Sequence, residues 1–391
     1  MIKILLACFA CLALISAASA ANTWYVDASG TPPGLGTLAN PYTDIQYAIN
    51  QPATHVGDTI LVAPGEYQGF SVQGKYLLIR GTQGAMQTRI QTSIFVANGL
   101  GIEGLTLADG GSVFDSDVRE CVILGSGLFI KDIQQITHCV FWGCTKAIGD
   151  HAFDGGGVQI DHCVFWNCAI GISTVAPGTV QYCAGQTTPG GFGWIVLHSL
   201  PGDPLLWDPA MGDMRLRPGS PCIDAGDPSA PLDPDGTRAD IGLIPYDPSY
   251  APAPTSYCTG KLNSQGCTPA IGAIGSASAS SGGPFVITAA NEVDNKVGLM
   301  LMGFGKLAQP FQAGLLCIQS PIKRLGPQNS LGNGPCTGTY AFDMAAYITS
   351  GIHPGLVPGA LVDCQWWGRD PLDPSGFGSQ LSNALSFGIA P

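Results

Sequence analysis

Short hydrophobic stretches recur along the middle of the chain, with polar residues and glycine between them. The stretch ITHCVFWGC at residues 136–144 returns as IDHCVFWNC at residues 160–168, and no helical period competes with it. Weaker copies stand in the same frame, so that successive copies begin at Ile102, Val118, Ile136, Ile160 and Val180. Fixed strands joined by turns of variable length are typical of a solenoid. The pattern predicts an all-β fold with a right-handed parallel β-helix. A β-sandwich is the main alternative, but near-identical copies in register are unusual there.

The alternation within each copy assigns side chains to the inside or the outside of a coil. Successive side chains of a strand face opposite sides, so Cys139 and Phe141 share one face while His138, Val140 and Trp142 share the other. We place cysteine and phenylalanine in the narrow, dry interior. The same frame predicts one inner and one outer column of stacked residues. The inner column is Leu105, Cys121, Cys139, Cys163 and Cys183, and the outer column is Gly104, Glu120, His138, His162 and Tyr182.

The coil cysteines allow more than one chemistry. Those of the inner column are expected to pack as small buried side chains, with a disulfide somewhere in the column as the alternative. For Cys144 and Cys168, which follow at the turn, a disulfide across two rungs and a stacked pair of thiols are both open. Zinc held by these thiols with His138 and His162 is disfavoured, because each His-to-Cys span runs along a strand and round a corner.

The outer column supplies the candidate catalytic residues. Glu120, His138, His162 and Tyr182 stand on one predicted exposed face, and their side chains are suited to general acid–base work. The alternative is a surface ladder of like residues, or a face covered by a loop or by the C-terminal module.

Two further groups are candidate ligand-binding residues. Trp142 and Trp166 are expected to stack in parallel and to form a platform for sugar rings. The glycine-rich loop after residue 149 carries Asp150, His151 and Asp154, which are candidates for calcium or sugar binding. A solvated loop is the favoured interpretation of this segment.

Aspartates near the end of the coil region give one weak metal candidate. Asp233, Asp235 and Asp240 lend DPDGTRAD the oxygen-rich look of a calcium loop. The segment lacks the full spaced ligand set and the closing glutamate, so a hydrogen-bonded cap is favoured. No cofactor is predicted, and calcium is the one metal left open.

The first residues have the pattern of a secretory signal. Lys3, an apolar run at residues 4–15 and Ala-Ser-Ala at residues 18–20 predict a signal peptide over residues 1–20. No later stretch is long and apolar enough to span a membrane, so a secreted or cell-surface protein with some paired cysteines is expected. The formal net charge of −12 argues against nucleic acid as a partner.

Characteristic motifs flank the repeats on both sides. Before them stand TWYVDASG at 23–30, NPYTDIQYAI at 40–49 and GDTILVAPGEY at 57–67. After them stand DPLL at 203–206, LRPGSPCIDAG at 216–226 and DPDGTRADIG at 233–242. These motifs resemble the entry and exit segments of exported parallel β-helix proteins. That group includes pectate-lyase-like and chondroitinase-like polysaccharide lyases as well as many non-enzymes, so the resemblance implies architecture rather than activity.

The last part of the chain has a different texture. Residues 247–256, DPSYAPAPTS, are expected to be a linker between a coil domain at 21–246 and a module at 257–391. YCTGKLNSQGCTP at 257–269 and QWWGRDP at 365–371 resemble a C-terminal module that recurs in exported bacterial proteins. The glycine-rich apolar stretches predict a β-sandwich, and a module shared by unlike partners implies attachment or sorting.

Five cysteines stand in this module. Cys258 and Cys267 flank one short loop and Cys317 and Cys336 another, which predicts the bridges Cys258–Cys267 and Cys317–Cys336. Cys364 is then left over.

The leading hypothesis is a secreted or cell-surface protein that binds a polysaccharide or another surface component without catalysis. The first alternative is a polysaccharide lyase or glycoside hydrolase that uses the outer column, and the second is a structural or adhesive protein. Basic residues in the coil region are scattered, without paired carboxylates at matching offsets, which weakens the enzyme hypothesis.

Overall fold

The computed structural model describes residues 21–131, 135–150, 157–173, 177–187, 189–190, 194–280 and 283–391. The predicted signal peptide, residues 1–20, lies outside the described residues. The predicted fold class is confirmed: a parallel β-solenoid is followed by antiparallel sheets that form a second β domain.

Short strands make up the solenoid. In chain order they are β1 (Thr23–Val26), β2 (Thr59–Val62), β3 (Gly65–Tyr67), β4 (Ser71–Gln73), β5 (Leu78–Gly81), β6 (Thr88–Ile90), β7 (Ile94–Ala97), β8 (Gly101–Glu103), β9 (Thr106–Leu107), β10 (Gly111–Phe114), β11 (Asp117–Arg119), β12 (Val122–Ile123), β13 (Leu128–Lys131), β14 (Gln135–Thr137), β15 (Val140–Trp142), β16 (Ile148–Asp150), β17 (Val158–Asp161), β18 (Val164–Trp166), β19 (Ile172–Ser173), β20 (Gly178–Gln181), β21 (Ala184–Gly185) and β22 (Trp194–Leu197). Helix α1 (Ile45–Asn50) lies between β1 and β2.

These strands form three parallel sheets, and each full coil gives one strand to each. Sheet 1 has the order β1-β2-β5-β8-β11-β14-β17-β20-β22, sheet 2 the order β19-β16-β13-β10-β7-β4, and sheet 3 the order β21-β18-β15-β12-β9-β6-β3. The two best sequence copies lie on adjacent rungs in register, with Ile136 beside Ile160 and Phe141 beside Phe165. The repeat is therefore one coil stacked on the next, as the pattern predicts.

The inner side chains fill the space between the three sheets. Cys139 and Phe141 are fully buried in this core, and Phe141 stacks on Phe165 with ring centroids 4.8 Å apart. Val140 faces outward from the same strand but is also buried, because it belongs to a second core beneath a covering segment. At the N-terminal end, Ile45 and Ile49 of α1 pack onto the solenoid core.

The outer column differs from the prediction in its backbone. Its residues are not strand residues but bends between sheet 1 and sheet 3. Each has a positive φ: Glu120 51°, His138 51°, His162 52° and Tyr182 47°. Gly104, in the same frame, has φ 65°. The bend turns the chain from one sheet to the next in each coil.

The cysteine that follows each bend has a task beyond packing. The bend directs its backbone N–H into the core, where the side chain of the next coil accepts it. Cys139 N–H donates to Cys163 Sγ at 3.4 Å, Cys163 N–H to Cys183 Sγ at 3.4 Å, and Cys183 N–H to Ser199 Oγ at 3.4 Å. A buried N–H without a partner destabilises the fold, so the repeated cysteines satisfy it coil by coil.

The described coil cysteines are free thiols. This confirms packing for the inner column and excludes the disulfide alternative there. Cys144 and Cys168 are also free and buried, and their thiols donate to the carbonyls of Ile123 and Phe141 on preceding rungs. Of the two arrangements open for that pair, the unpaired thiols are the one that forms.

The exit segment, which we define as residues 198–246, folds back over the outer face of sheet 3. It contains β23 (Leu206–Asp208), a 3-10 turn (Pro209–Met211) and β24 (Asp213–Leu216). Cys222 and Ile241 of this segment pack against Val140 and Val164 in one buried cluster. Sheet 3 is therefore covered, while the outer faces of sheets 1 and 2 are not part of that cluster.

Antiparallel strands build the second domain. They are β25 (Thr255–Tyr257), β26 (Ala270–Gly275), β27 (Phe285–Glu292), β28 (Val297–Gly303), β29 (Lys306–Phe311), β30 (Gly314–Ile318), β31 (Lys323–Asn329), β32 (Gly338–Asp343), β33 (Leu361–Arg369) and β34 (Ser379–Gly388). Helix α2 (Met344–Thr349) follows β32. Sheet 4 has the order β25-β34-β33-β28-β31 and sheet 5 the order β26-β27-β32, while β29 and β30 form a hairpin. Sheets 4 and 5 share a core in which Tyr340 stacks on Trp366 at 5.0 Å.

The predicted disulfide pairing in this domain is wrong. The bridges are Cys258–Cys317 and Cys267–Cys336, across 59 and 69 residues of sequence. The fold places cysteines that are close in sequence beside different partners. The Tyr257 hydroxyl donates to the Cys317 carbonyl at 2.7 Å, next to the Cys258–Cys317 bridge. The Cys336 N–H donates to Gln265 Oε1 at 2.8 Å, beside the other. Cys364 is free and buried.

Candidate functional site

The histidines of the outer column form an aromatic ladder. His138 stacks on His162 with ring centroids 4.7 Å apart, His162 on Tyr182 at 5.7 Å, and Tyr182 on His198 at 5.0 Å. The ladder follows from the shared bend position, because each coil places its ring one rung beyond the last. His198 is a member that the sequence frame did not include.

The ladder does not form an exposed catalytic face. His162 is only 3% exposed, and a Cβ added at Gly226 of the exit segment would lie 2.6 Å from its Nε2. Nε2 accepts the Asp227 N–H at 2.9 Å, so the ring proton resides on Nδ1, which lies 2.9 Å from Asp161 Oδ1. The expected exposure of this histidine is therefore wrong: the exit segment covers it, and its ring orders that segment.

The neighbouring members of the ladder are also constrained. Burial, and secondly the adjacent His162 ring, lowers the pKa of His138 to about 4, so this imidazole is neutral at physiological pH. Tyr182 is half-buried, and the Arg238 guanidinium of the exit segment lies 5.9 Å from its ring centroid. These contacts are those of a packed surface beneath a cover.

Glu120 differs from the histidines of the outer column because it is exposed. Its side chain is exposed at a small cleft of about 170 Å³, lined also by Gln83, Gln87 and Arg215. Desolvation by nearby protein atoms raises the pKa of Glu120, and the neighbouring Glu103 carboxylate raises it further. Glu103 itself pairs with Arg80 at 2.6 Å. Of the predicted catalytic set, Glu120 is therefore the one member whose side chain is exposed, whereas the neighbouring Glu103 is buried.

The two tryptophans lie in register on adjacent rungs of sheet 3, Trp142 beside Trp166. Both are half-buried and pack against the cluster that the coil shares with the exit segment. The exit segment covers part of the surface of each indole ring. Each indole is thus partly covered, and a platform for sugar rings at this place stays a prediction.

The remaining predicted ligand residues fall into two groups. Asp150 ends β16, and its side chain, like the whole of His151 and Asp154, lies outside the described residues. In the second group, Asp240 accepts the backbone N–H groups of Asp224 and Tyr246 at 2.7 and 2.6 Å.

The other two aspartates of that group also accept local hydrogen bonds. Asp233 accepts the Asp240 N–H at 2.9 Å, and Asp235 accepts the Thr237 N–H at 3.0 Å. Their oxygens thus hold the chain of the exit segment together, as a hydrogen-bonded cap does. Among the described residues no group of three or more His, Cys, Asp or Glu is placed to hold a metal ion.

An open groove runs across the outer face of sheet 2. Its volume is about 610 Å³. One row along its floor is Ser71, Phe95, Ser112 and Phe129, which lie on successive rungs in register. All four side chains are half-buried, because they stand outward from the coil with their tips accessible. The row alternates hydroxyl and aromatic side chains from coil to coil.

Hydrogen bonds fix the walls of this groove. Gln46 of α1 exchanges two bonds with the backbone of Ser71, at 2.6 and 3.2 Å, and closes one end. Thr92 Oγ1 accepts the Gly69 N–H at 2.8 Å, and the Ser126 hydroxyl donates to the Asp109 carbonyl at 2.6 Å. The groove is a preformed surface with many hydroxyl groups.

Sequence reasoning missed this groove. The available signal was an aromatic residue between two buried aliphatic ones, as in Ile94-Phe95-Val96 and Leu128-Phe129-Ile130. Such a residue faces outward on a strand whose neighbours face inward. The HCVFW repeat, by contrast, belongs to sheet 3 and the bend before it.

Comparisons with known proteins do not show a family for this chain. A search of protein-family models finds no match to this chain, and a search of curated proteins finds none either. Among solved structures, a rhamnogalacturonan lyase matches with a TM-score of 0.28 and 12% sequence identity. The match covers 46% of this chain and 62% of that chain, which is less than two thirds of the lyase. No functional conclusion follows from a likeness of this size.

Among the residues that the structure describes, no helix is long and apolar enough to cross a membrane. The two disulfides of the second domain indicate an oxidising environment.

Proposed function

We propose that this chain is an exported protein that binds a polysaccharide along the groove of sheet 2 without cleaving it. The observation that carries the proposal is the row Ser71, Phe95, Ser112 and Phe129. The C–H faces of sugar rings pack on aromatic rings, while their hydroxyls bond to serine, threonine and glutamine. Phe95 and Phe129 lie two rungs apart, roughly 9–10 Å at ~4.8 Å per strand. The two rings are thus spaced to meet two sugars of one chain.

The chemistry of the lining favours binding over cleavage. Asp109 is the one carboxylate among the described lining residues, and no lysine, arginine or histidine is among them. Cleavage of a glycosidic bond by acid–base chemistry requires a second ionisable group on the other side of the bond. The lack of a cation in this lining, in a chain of net charge −12, favours a neutral polysaccharide over an acidic one.

Binding to a panel of neutral and acidic soluble polysaccharides, measured by affinity electrophoresis and calorimetry, tests the proposal. The protein without residues 1–20 is expected to bind at least one neutral polysaccharide, and Phe95→Ala and Phe129→Ala are each expected to weaken binding about tenfold. Tyr76→Ala is the matched control, because Tyr76 is an exposed aromatic residue (47%) of the same domain that does not line the groove. The proposal would be contradicted if Phe95→Ala and Phe129→Ala bound as tightly as Tyr76→Ala. It would also be contradicted if the protein bound no neutral polysaccharide.

Cleavage at the Glu120 cleft is the second candidate function. The specific observation in its favour is that burial and the neighbouring Glu103 raise the pKa of Glu120, the direction of shift that a general acid requires. The same panel decides it: release of reducing ends or of unsaturated sugars, abolished in Glu120→Gln, would establish an enzyme. Binding through Phe95 and Phe129 with no product release supports the leading proposal.

A further inference from the structure

A separate cavity lies in the C-terminal domain, on the side of sheet 4 that faces away from the shared core. Its volume is about 370 Å³. Alternation along β28 explains its floor: Met300 and Met302 point into the core, so Leu299 and Leu301 point to the other face. The β29–β30 hairpin forms the opposite wall.

The lining of this cavity is mostly apolar with few polar groups. Leu299 pairs with Trp367 of β33, and Leu301 pairs with Arg324 of the edge strand β31. Phe311, Leu316 and Ile322 complete the apolar lining. An apolar cavity of a few hundred Å³ with a small number of placed polar groups is the usual form of a small-molecule site.

The hairpin tip above the cavity is strained. Gln312 and Ala313 have φ values of 49° and 60°, and they form the two-residue turn between Phe311 and Gly314. Turns with two positive φ values normally take Asn-Gly, since other residues are disfavoured there. The strain is held by two contacts: Lys261 Nζ donates to the Gln312 carbonyl at 2.8 Å, and Trp367 Nε1 donates to Gln312 Oε1 at 3.0 Å. Strain that the surroundings impose is characteristic of binding sites.

The charge at the mouth indicates the ligand class. Arg324 is exposed at the rim, and among the described residues the structure records no ion pair for it. It is the one charged residue of the described lining, in a chain whose net charge is −12. A guanidinium forms two parallel hydrogen bonds with a carboxylate. The apolar body of the ligand and its carboxylate would thus have separate, adjacent partners.

We propose that this cavity binds a small amphiphile, an alkyl chain that ends in a carboxylate. The chain lies between Leu299, Leu301 and the hairpin, with Trp367 at its side, and the carboxylate pairs with Arg324. This site is in the second domain and does not depend on the groove of sheet 2.

Calorimetric titration of the protein without residues 1–20 with decanoate and with decanol tests the site. Decanoate is expected to bind with one-to-one stoichiometry and roughly tenfold more tightly than decanol, which has the same chain without the charge. Arg324→Gln is expected to abolish that difference and to leave decanol binding intact. Lys323→Gln is the matched control, since Lys323 is an exposed cation next to it on β31 that does not line the cavity.

A filling variant tests the location. Leu301→Trp is expected to abolish binding of both probes, with an unchanged circular dichroism spectrum as evidence of folding. If it does not fold, Arg324→Gln carries the test, because Arg324 is exposed. The proposal is overturned if the protein binds neither probe saturably, or if decanol binds as tightly as decanoate. Equal effects of Arg324→Gln and Lys323→Gln, or binding by a folded Leu301→Trp variant, would overturn it as well.

Discussion

The backbone N–H of Asp227 donates to Nε2 of His162 at 2.9 Å, across 65 residues of sequence. This bond joins the exit segment to the bend of one coil. It fixes the tautomer of the imidazole and removes its acceptor nitrogen from any other chemistry. A residue that looks catalytic in the sequence therefore serves the packing of one part of the chain on another.

Replacement of His162 tests this structural role. His162→Asn keeps a residue that tolerates positive φ but removes the ring from a buried stack, and it is expected to lower the free energy of unfolding by about 2–3 kcal/mol. Urea denaturation gives this value. Hydrogen exchange at the Asp227 amide gives the specific readout, since that proton should lose protection.

His198→Asn is the control for this experiment. His198 has a similar φ, 50°, and stacks on Tyr182, but it is exposed. Its replacement should leave the Asp227 amide protected. Equal loss of protection in both variants would argue against the His162 bond.

Acid should destabilise the protein through His138. Its pKa falls from 6.5 to about 4 on folding, so between these values the unfolded chain binds a proton that the folded chain does not. Stability is therefore full above pH 6.5 and falls as the pH drops towards 4, by at most about 3 kcal/mol. His138→Asn should remove this loss, as judged from urea denaturation at pH 7 and pH 4.5. The exposed His55, replaced in the same way, should leave the loss unchanged.

Much of the fold follows from the sequence because the repeat acts locally. A copy such as Cys139-Val140-Phe141 alternates in and out whatever its neighbours are, and the next copy stacks on it in register. The disulfide pairing in the second domain could not be obtained in this way. It depends on which strands of sheet 4 lie next to the β29–β30 hairpin, a long-range property that loop lengths do not encode.

The site was less predictable than the fold. Whether Val164 or Phe129 is accessible to solvent depends on where residues 198–246 return, and both are outward positions in the alternation. Cover by a distant segment is decided by packing such as Ile241 on Val164. Periodicity alone therefore identifies outward residues without telling which of them remain accessible.

Glu292 predicts a pH dependence of opposite sign in the second domain. Its side chain is 1% exposed, and neither carboxylate oxygen has a hydrogen-bond partner among the described residues. Burial raises its pKa from 4.5 to about 8, so the unfolded chain loses its proton first as the pH rises. Stability should fall between pH 4.5 and pH 8 by a few kcal/mol, at ~1.4 kcal/mol per pKa unit.

Glu292→Gln removes the ionisable group, so the free energy of unfolding should no longer fall between pH 4.5 and pH 8. The variant domain should then be more stable than the parent at pH 8. Thermal denaturation from pH 5 to pH 9 measures it. Glu66→Gln is the control, because Glu66 is an exposed glutamate of the solenoid. A slope that persists in Glu292→Gln would show that another group is responsible.

The N–H to sulfur hydrogen bonds of the inner column predict that serine replaces cysteine better than alanine does in the solenoid. Cys163 Sγ accepts the Cys139 N–H, and Ser199 performs the same task for Cys183 with a hydroxyl. Cys163→Ser should therefore stay within about 1 kcal/mol of the parent, whereas Cys163→Ala leaves a buried N–H without a partner and should destabilise by about 2 kcal/mol.

Cys364 supplies the matched comparison. It is equally buried and free, but the structure records no hydrogen bond of its thiol among the described residues. There a serine hydroxyl would be buried without a partner, so Cys364→Ser should be less stable than Cys364→Ala. Urea denaturation of the four variants tests this prediction. The serine variant should be the more stable one at position 163, and the alanine variant the more stable one at position 364. The same order at both would mean that the coil cysteines act by packing alone.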